Sequence, residues 1–368
     1  MYRNRVGKID LYTSEGEVFV ETTKQKNELL SKERKDSMDG ESLNILILSC
    51  GTRNKIVQYF KETLAGKGLV LATDCSKLAP ALYEADKHFI VQRIDQDGYL
   101  DEILSICKKF NVKAVLSLID PELSLLAKNK SKFLELGTIP LVSDYETIEM
   151  CFDKYKMAKF LEKNGLPTPK TYFKKEDFCV ALNKELISFP VFVKPVKGSA
   201  SININKVETQ EELEYLLGKY DDLVIQEFMD GKELGADVYV DMISGELISI
   251  FLKEKLLMRA GETDKSVSVK DGQLFELISK FVEKAGLKGI NDIDIFHANG
   301  KYYISEVNPR FGGGYPHAYE CGVNMMDMIL NNVQGNQNPP KIGDYEEKIY
   351  MMKYNEVKIK SCYDKQCS

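Results

Sequence analysis

Three polar residues alternate along the stretch 304-ISEVNPRFGGGYPH-317. Glu306, Asn308 and Arg310 would share one face of a β-strand, because strand side chains alternate between the two faces of a sheet. A carboxylate, an amide and a guanidinium in one row cost stability if they are buried without partners. The row therefore predicts that a charged ligand lies opposite it.

The row belongs to IDIFHANGKYYISEVNP, which predicts a β-hairpin turning at Asn299-Gly300. Cross-strand neighbours in a hairpin lie about 5 Å apart, so Asp294 on the first strand can converge with Glu306 and Asn308 on the second. Two carboxylates and an amide oxygen suit Mg²⁺ or Mn²⁺, and magnesium usually brings phosphate ligands with it. Asp292 is the alternative first ligand, and an exposed polar sheet face without a metal is the alternative to the site itself.

Two other segments have the residue types of a phosphate or nucleotide site. Lys194 ends the predicted strand FPVFVK, and small residues follow it, through which backbone N–H groups can approach phosphate oxygens: Gly198, Ser199, Ala200 and Ser201. In 226-QEFMDGKELG-235 a strand leaves through a polar segment, and Glu233 is placed to accept hydrogen bonds from ribose hydroxyls. Taken alone, each segment is more typical of an ordinary turn than of a binding site.

The elements that must position these residues change along the chain. Residues 1–43 predict a small hairpin with SEGE as its turn and then a charged helix or linker. From Leu43 the alternation of strands and helices predicts a parallel, doubly wound sheet. Next come one long helix, ETIEMCFDKYKMAKFLEKNG, with a capping box of Ser143 and Glu146, and then strands that include a hairpin turning at Ser244-Gly245.

The composition excludes several classes of function. With 368 residues and a formal net charge of -6, the chain has no basic field to attract nucleic acid or acidic membranes. It shows no signal peptide and no membrane-spanning run, so we expect a cytoplasmic protein. The eight cysteines lack CxxC pairs and there are only three histidines, which favours free thiols over a zinc site.

Taken in order, these signals resemble the ATP-grasp superfamily, and in particular its single-unit ligases similar to the carbamoyl-phosphate synthase large subunit. The stretches that carry the resemblance are FDKYKMAKFLEKNGLPTPKTY, FPVFVKPVKGSASI, VIQEFMDGKELGADVYVD, MRAGETDKSVSVKD and YYISEVNPRFGGGYPHAYECGVN. The resemblance implies an α/β plus α+β fold, with a parallel-sheet pre-ATP-grasp domain before a two-subdomain ATP-grasp clamp. The expected segments are an extension (1–43), the pre-ATP-grasp domain (44–149), subdomain A (150–225), subdomain B (226–345), and a C-terminal strand and tail (346–368).

The same resemblance implies a role for each matching residue. Lys154 and Lys194 would contact phosphates, under a closing loop of Gly198, Ser199, Ala200 and Ser201. Adenine would meet the segment of Gln226, Glu227, Phe228 and Met229, and ribose would meet Glu233. Magnesium would be held by Asp294, Glu306 and Asn308, and Arg310 would face the γ-phosphate or an acyl-phosphate intermediate.

The chain departs from the synthase pattern. Asp294 stands where the synthase has Gln, Arg259 replaces the histidine that the synthase has before its T-G-D-S run, and only one ATP-grasp unit is present. Arg259 and Lys265 are expected to bind a carboxylate substrate or its phosphate. The glycine loop (residues 312–314), Tyr315 and His317 are expected to border the same pocket, and a purely structural role is the alternative for His317. Arg53, Asp74, Asp120 and Glu122 are candidates for substrate selection, or else plain loop and cap residues.

The resulting prediction is an ATP- and Mg²⁺-dependent ligase that joins a small carboxylate to an amine, with amino acids among the candidate substrates. Its partners are small molecules, without nucleic acid or membrane, and a homodimer is compatible with the resemblance. Two alternatives stay open. One is synthase-like phosphorylation of bicarbonate or carbamate, and the other is a relative that binds nucleotide without catalysis.

Overall fold

A computed structural model describes residues 13–14, 17–18, 42–198 and 205–360. The chain divides into two compact units, Met1–Ser42 and Leu43–Ser368. In the first unit, β1 (Thr13–Ser14) pairs antiparallel with β2 (Glu17–Val18), at the predicted SEGE turn. The predicted charged helix or linker, Ser199, Ala200 and Ser201 of the predicted phosphate loop, and the C-terminal tail beyond residue 360 lie outside the described residues.

The second unit begins with a five-stranded parallel sheet in the order β5-β4-β3-β6-β7, which confirms the predicted doubly wound lobe. Ile45 and Ile47 of the central strand face one hydrophobic core, and Leu46 and Leu48 face a second, so the strand is buried on both sides. We call residues 43–142 the N-terminal lobe. Its elements are β3 (Ile45–Leu48), α1 (Asn54–Leu64), β4 (Val70–Asp74), a 3₁₀ helix (Pro80–Glu84), β5 (Lys87–Ile90), α2 (Tyr99–Lys109), β6 (Ala114–Ser117), α3 (Asp120–Lys128), α4 (Lys130–Glu135) and β7 (Ile139–Pro140).

The prediction of one long helix after this lobe is wrong. The structure has two, α5 (Tyr145–Phe152) and α6 (Lys154–Lys163), because Asp153 is extended, forms a β-bridge with Lys197 and caps the second helix by accepting from the Lys156 amide. The predicted capping box is also wrong. The N-cap is Asp144, and the Ser143 hydroxyl instead accepts from the Lys288 amide at 2.9 Å.

A four-stranded antiparallel sheet follows, in the order β10-β9-β11-β8, and we call it the small sheet. One face packs against its two helices around Phe178, Val193 and Ile225. Its elements are β8 (Thr171–Tyr172), α7 (Lys175–Asn183), β9 (Val191–Pro195), β10 (Asn205–Val207), α8 (Gln210–Lys219) and β11 (Leu223–Glu227).

The rest of the unit is built on a six-stranded antiparallel sheet, the large sheet, in the order β16-β15-β12-β13-β14-β17. One face packs on helix α9 through Leu274, Ile278 and Phe281, while the other face is rich in charged residues. Its elements are β12 (Lys232–Val240), β13 (Leu247–Arg259), β14 (Glu262–Val269), α9 (Gly272–Ala285), β15 (Gly289–Ala298), β16 (Lys301–Asn308), α10 (Tyr315–Glu320), α11 (Met325–Val333) and β17 (Tyr350–Met352).

Both predicted hairpins of the large sheet are present. Asn299 and Gly300 have positive φ angles of 51° and 70°, which the tight turn between β15 and β16 requires. Within the part of the chain that the structure describes, no helix has the length and apolarity needed to cross a membrane.

Candidate active site

The charged face of the large sheet, which we call the floor, carries the three predicted metal ligands side by side. Asp294 of β15 lies directly opposite Glu306 of β16, and Asp292 lies opposite Asn308. Residues opposite each other in an antiparallel pair point to the same face. The spacing rule therefore placed these residues correctly, and their role as metal ligands stays a prediction.

Each of the three predicted ligands has a cationic neighbour in the structure. The Asp294 carboxylate contacts Lys255 Nζ at 2.6 Å, and Glu306 Oε2 lies 3.9 Å from Lys154 Nζ. The Asn308 side-chain oxygen accepts from Arg310 at 3.2 Å. The floor is thus charge-balanced by cations from three different elements.

The donor set fits a hard divalent ion that takes its remaining ligands from phosphate and water. Among the described residues no group of three or more His, Cys, Asp and Glu side chains is arranged to hold a metal ion. The floor instead offers two carboxylates and one amide oxygen, which is an all-oxygen set that leaves coordination positions open. An ion here would need the phosphates of a nucleotide to complete its shell.

Lys154 and Lys194 stand together across from the floor. Lys154 opens α6, its amide donates to the Val196 carbonyl at 2.9 Å, and its ammonium donates to the Gly198 carbonyl at 2.5 Å. Lys194 lies in β9 and is buried. Burial lowers the pKa of Lys194; Glu306 opposes this effect and the neighbouring Lys154 adds to it. Two adjacent buried cations facing a carboxylate form a pocket suited to phosphate.

The predicted adenine segment lies at the end of β11. The Gln226 side chain is buried and donates to the Thr171 hydroxyl at 2.9 Å. One of its N–H groups is therefore engaged in a hydrogen bond within the small sheet. The Glu227 amide donates to the Lys170 carbonyl at 2.8 Å. The Phe228 ring lies 5.3 Å from the Phe192 ring, and Met229 is buried.

Glu233 lies on the floor, at the end away from Asn308. Its Oε1 contacts Lys255 Nζ at 2.8 Å, the same ammonium that contacts Asp294. The sequence analysis did not single out Lys255. Its only local signal is the lysine pair in FLKEK, and one of these two residues pairs elsewhere: Lys253 is fully buried in an ion pair with Asp237.

Arg310 points toward the N-terminal lobe. Its guanidinium forms a two-pronged ion pair with Asp120 at the start of α3, with N···O distances of 2.9 and 3.0 Å, and both side chains are buried. Burial opposes the charge, yet Asp120 raises the pKa of Arg310 above its ordinary value. The structure therefore gives the predicted phosphate-facing arginine a carboxylate partner from another lobe.

Arg259 and Lys265 lie on neighbouring strands of the large sheet, and their role as carboxylate contacts stays a prediction. MRAGETDKS forms a third hairpin, with Arg259 and Glu262 paired around its turn. Arg259 is 65% exposed and lies 3.6 Å from Asp264, and Lys265 lies 3.3 Å from the same carboxylate. Glu262, rather than Arg259, faces the N-terminal lobe, where it pairs with Arg53 at 2.9 Å.

The glycine loop rests directly on the charged side chains of the large sheet. A Cβ at Gly312 would lie 2.3 Å from Asp292 Cγ, and one at Gly314 would lie 2.8 Å from Lys253 Cε. At Gly313 a Cβ would lie 2.7 Å from the Glu262 carboxyl carbon. A larger residue at any of the three positions would force one of these charged side chains to shift.

Tyr315 and His317, predicted to border the carboxylate pocket, are both buried, and for His317 burial fits the structural alternative. The Tyr315 hydroxyl is buried and donates to the Val323 carbonyl at 3.1 Å. The His317 ring lies between the Ser266 hydroxyl and the Ile349 carbonyl, at 2.8 and 3.0 Å. Burial, aided by Lys253, lowers the pKa of His317 to about 4, so the ring is neutral and structural.

Two of the candidates for substrate selection accept hydrogen bonds from groups of the N-terminal lobe. Asp74 accepts from the amides of Gly51 and Ser76 at 2.9 and 2.8 Å and so fixes the loops after two strands. Glu122 is fully buried, accepts from Ser117 Oγ at 2.5 Å, and has its pKa raised by burial. The other two, Arg53 and Asp120, face the floor.

Comparisons with known proteins agree with this geometry. The family model described as an ATP-grasp domain matches residues 151–314, and one described as a PylC-like N-terminal domain matches residues 45–142. Coenzyme gamma-F420-2:alpha-L-glutamate ligase of Methanococcus maripaludis is 30% identical over 206 residues, which are 52% of this chain and 70% of that protein. Carbamoyl-phosphate synthase of Methanobrevibacter smithii is 27% identical over 297 residues, 76% of this chain and 78% of that protein.

A solved structure shares the fold over most of the chain. The biotin carboxylase domain of 2-oxoglutarate carboxylase from Hydrogenobacter thermophilus, in complex with MgADP and bicarbonate, has a TM-score of 0.68 at 17% identity. The match covers 84% of this chain and 73% of that one. With the methanogen ligase matched over most of its length, and with both family models in the expected order, this chain belongs to the ATP-grasp superfamily, among its single-unit ligases similar to the carbamoyl-phosphate synthase large chain.

Proposed function

We propose that the protein is an ATP- and Mg²⁺-dependent ligase that joins a small carboxylic acid to an amine through an acyl phosphate. The observation that carries this proposal is the floor row of Asp294, Glu306 and Asn308 facing the lysine pair of Lys154 and Lys194. Acidic oxygens opposite two buried ammonium groups favour a metal-bound polyphosphate between them.

The nucleotide would lie between the small and the large sheets. Lys154 and Lys194 would bind its phosphates, with Gly198 and the proposed loop of Ser199, Ala200 and Ser201 closing over them. The segment of Gln226, Glu227, Phe228 and Met229 would meet adenine, and Glu233 would meet the ribose. The oxygens that hold Mg²⁺ would be those of Asp294, Glu306 and Asn308, and the bound ion would offset negative charge that develops during phosphoryl transfer.

The second half of the site would lie toward the N-terminal lobe. Arg310 would orient the carboxylate that is phosphorylated, because its guanidinium is held beside Asn308 by Asp120. Arg53 and Glu262 lie at the same junction and would contact the acid or the amine, and Arg259 and Lys265 remain proposed carboxylate contacts through the third hairpin. No protein nucleophile is required, since the amine attacks the acyl phosphate and phosphate leaves.

The test is mass spectrometry of reactions that hold the protein, Mg-ATP, bicarbonate and mixed pools of amino acids and small organic acids. We expect ADP together with a new mass equal to acid plus amine minus water. Hydroxylamine in place of the amine should trap the activated acid as a hydroxamate. ADP that depends on bicarbonate, with carbamoylated products, would replace the ligase by a synthase-like reaction.

The residue assignments are tested in the same assay. Glu306→Ala and Asn308→Ala should abolish metal-dependent turnover, since each removes a proposed Mg²⁺ ligand, while circular dichroism shows an unchanged fold. Lys301→Ala, at the exposed end of the same hairpin, is the matched control and should keep wild-type turnover. Full activity in both ligand variants would refute the magnesium assignment.

A further inference from the structure

Lys255 connects the two ends of the proposed nucleotide site. Its ammonium contacts Glu233 Oε1 at 2.8 Å and Asp294 Oδ1 at 2.6 Å. Glu233 is the proposed acceptor for the ribose hydroxyls, and Asp294 is the proposed first metal ligand. The lysine comes from β13, whereas Glu233 belongs to β12 and Asp294 to β15, so one side chain joins three adjacent strands of the floor.

The reach of Lys255 depends on a glycine in the intervening strand. Strand β12 lies between β13, which carries Lys255, and β15, which carries Asp294. Gly235 of β12 lies opposite Asp294 in the sheet register. A Cβ at Gly235 would lie 3.1 Å from Lys253 Cε and 3.2 Å from Lys255 Cε, and both distances are shorter than ordinary side-chain contacts. Because Gly235 has no side chain, the lysine can cross β12 and reach the far carboxylate.

The ammonium lies beneath the two acids. The Lys255 side chain is 4% exposed, compared with 35% for Glu233 and 27% for Asp294. Both carboxylates thus present their free edges to the cleft while sharing one buried cation. A ligand that binds Glu233 and a ligand that binds Asp294 therefore compete with the same Lys255 ammonium.

We propose that Lys255 is a positioning residue that holds Glu233 for the ribose and competes with the divalent ion for Asp294. This inference rests on the proposed function. It implies that the two acids are linked: the lysine orients Glu233 as an acceptor, and it weakens metal binding at Asp294 until nucleotide phosphates add their own negative charge.

The test uses Lys255→Met and two binding measurements that should change in opposite directions. Electron paramagnetic resonance gives the affinity for Mn²⁺ without nucleotide, which should rise by about tenfold or more when the competing charge is removed. Calorimetry with Mn²⁺ present compares ADP with 2′,3′-dideoxy-ADP. The preference for ADP, about tenfold for a charge-assisted hydrogen bond, should fall to about twofold when Glu233 loses its anchor.

Lys232→Met is the matched control. Lys232 also pairs with a glutamate across β12 and β13, contacting Glu254 at 2.9 Å, but its side chain is 63% exposed. This variant should match the wild type in both measurements. Gly235→Ala changes no charge and crowds both Lys253 Cε and Lys255 Cε, at 3.1 and 3.2 Å, so it supports the inference only if both measurements change as they do in Lys255→Met.

The outcomes separate the inference from the proposed function. If Lys255→Met and Gly235→Ala both lose affinity for Mn²⁺ and for ADP, the lysine is merely structural. If both variants keep the wild-type values, the lysine has no role in binding. Either result overturns the inference. If the wild-type protein itself binds neither ADP with Mn²⁺ nor Mn²⁺ alone, the proposed function fails first. Tighter Mn²⁺ binding with weaker ribose preference supports the inference.

Discussion

At the scale of single residues, His317 shows how burial decides the role of a titratable group. Its ring is enclosed by the Ser266 hydroxyl, the Ile349 carbonyl and the Phe251 ring, whose centroid is 5.0 Å away. A neutral imidazole with both nitrogens engaged neither binds substrate nor accepts a proton readily. It should instead make the stability of the fold depend on pH.

We expect the free energy of unfolding to fall by about 2 kcal/mol between pH 7 and pH 5 because of His317. Burial holds the pKa of His317 at about 4, below about 6.5 in the unfolded chain, so the unfolded chain binds the proton first as the pH falls. This stability is complete above about pH 6.5 and is lost as the pH falls toward 4. Urea unfolding at several pH values measures it.

The slope of unfolding free energy against pH distinguishes the contribution of His317 from that of other titrating groups. His317→Gln should remove this part of the pH dependence, whatever its effect on stability at pH 7. Ser266→Ala keeps the buried imidazole and should keep the slope. An unchanged slope in His317→Gln would show that other groups cause the pH dependence.

The site residues that could be predicted from sequence are those whose relative positions follow from nearby residues in the chain. A two-residue turn and strand alternation suffice to place Asp294 opposite Glu306. Lys255 and Glu262 reach the site through the order of β12, β13 and β14, and Asp120 reaches it through the packing of another lobe. No local pattern encodes those neighbours, so the sequence analysis missed Lys255 and Glu262.

At the scale of elements, glycines determine how closely strands and loops approach the site. Gly231 lies in the predicted nucleotide segment, immediately before β12. A Cβ there would lie 2.3 Å from the His297 carbonyl oxygen, which is backbone of β15 and cannot rotate away. The glycine therefore fixes the start of the β12–β15 pairing, where Lys232 lies opposite His297.

Gly231→Ala should destabilise the protein by about 2 kcal/mol or more, because the added methyl group forces two strands apart. The matched control is Gly218→Ala in α8, where the built Cβ meets nothing within 4 Å and φ is not positive. That change should stabilise the helix by about 0.5–1 kcal/mol. Chemical unfolding of both variants measures the difference, and equal effects in the two would contradict the close approach.

The break between α5 and α6 shows where periodicity fails to predict an element. The pattern of apolar residues runs through Asp153 without a glycine or proline, so the sequence analysis joined the two helices. The break arises from a distant partner, because Asp153 bridges to Lys197 and the Lys154 amide donates to Val196. The interruption positions Lys154 at a helix start, with its ammonium on Gly198.

At the scale of the whole molecule, two arginine–carboxylate pairs join the N-terminal lobe to the floor region. Arg310, which follows β16, pairs with Asp120 of the lobe, and Arg53 of the lobe pairs with Glu262 of the large sheet. The hydrophobic core is also shared, since Ile45 and Ile47 of the lobe belong to one cluster with Phe311 and Tyr315. The lobe and the floor are therefore expected to unfold together.

Asp120→Asn should lower the free energy of unfolding by about 3 kcal/mol, because it leaves the buried Arg310 guanidinium without its carboxylate. Glu162→Gln is the control, since its pair with Lys159 has both side chains more than 40% exposed and should contribute less than about 1 kcal/mol. Denaturant unfolding followed by far-ultraviolet circular dichroism measures both changes. An Asp120→Asn loss no larger than that of the control would show that the pair does not hold the two parts together, and that Arg310 depends on other contacts to stay beside Asn308.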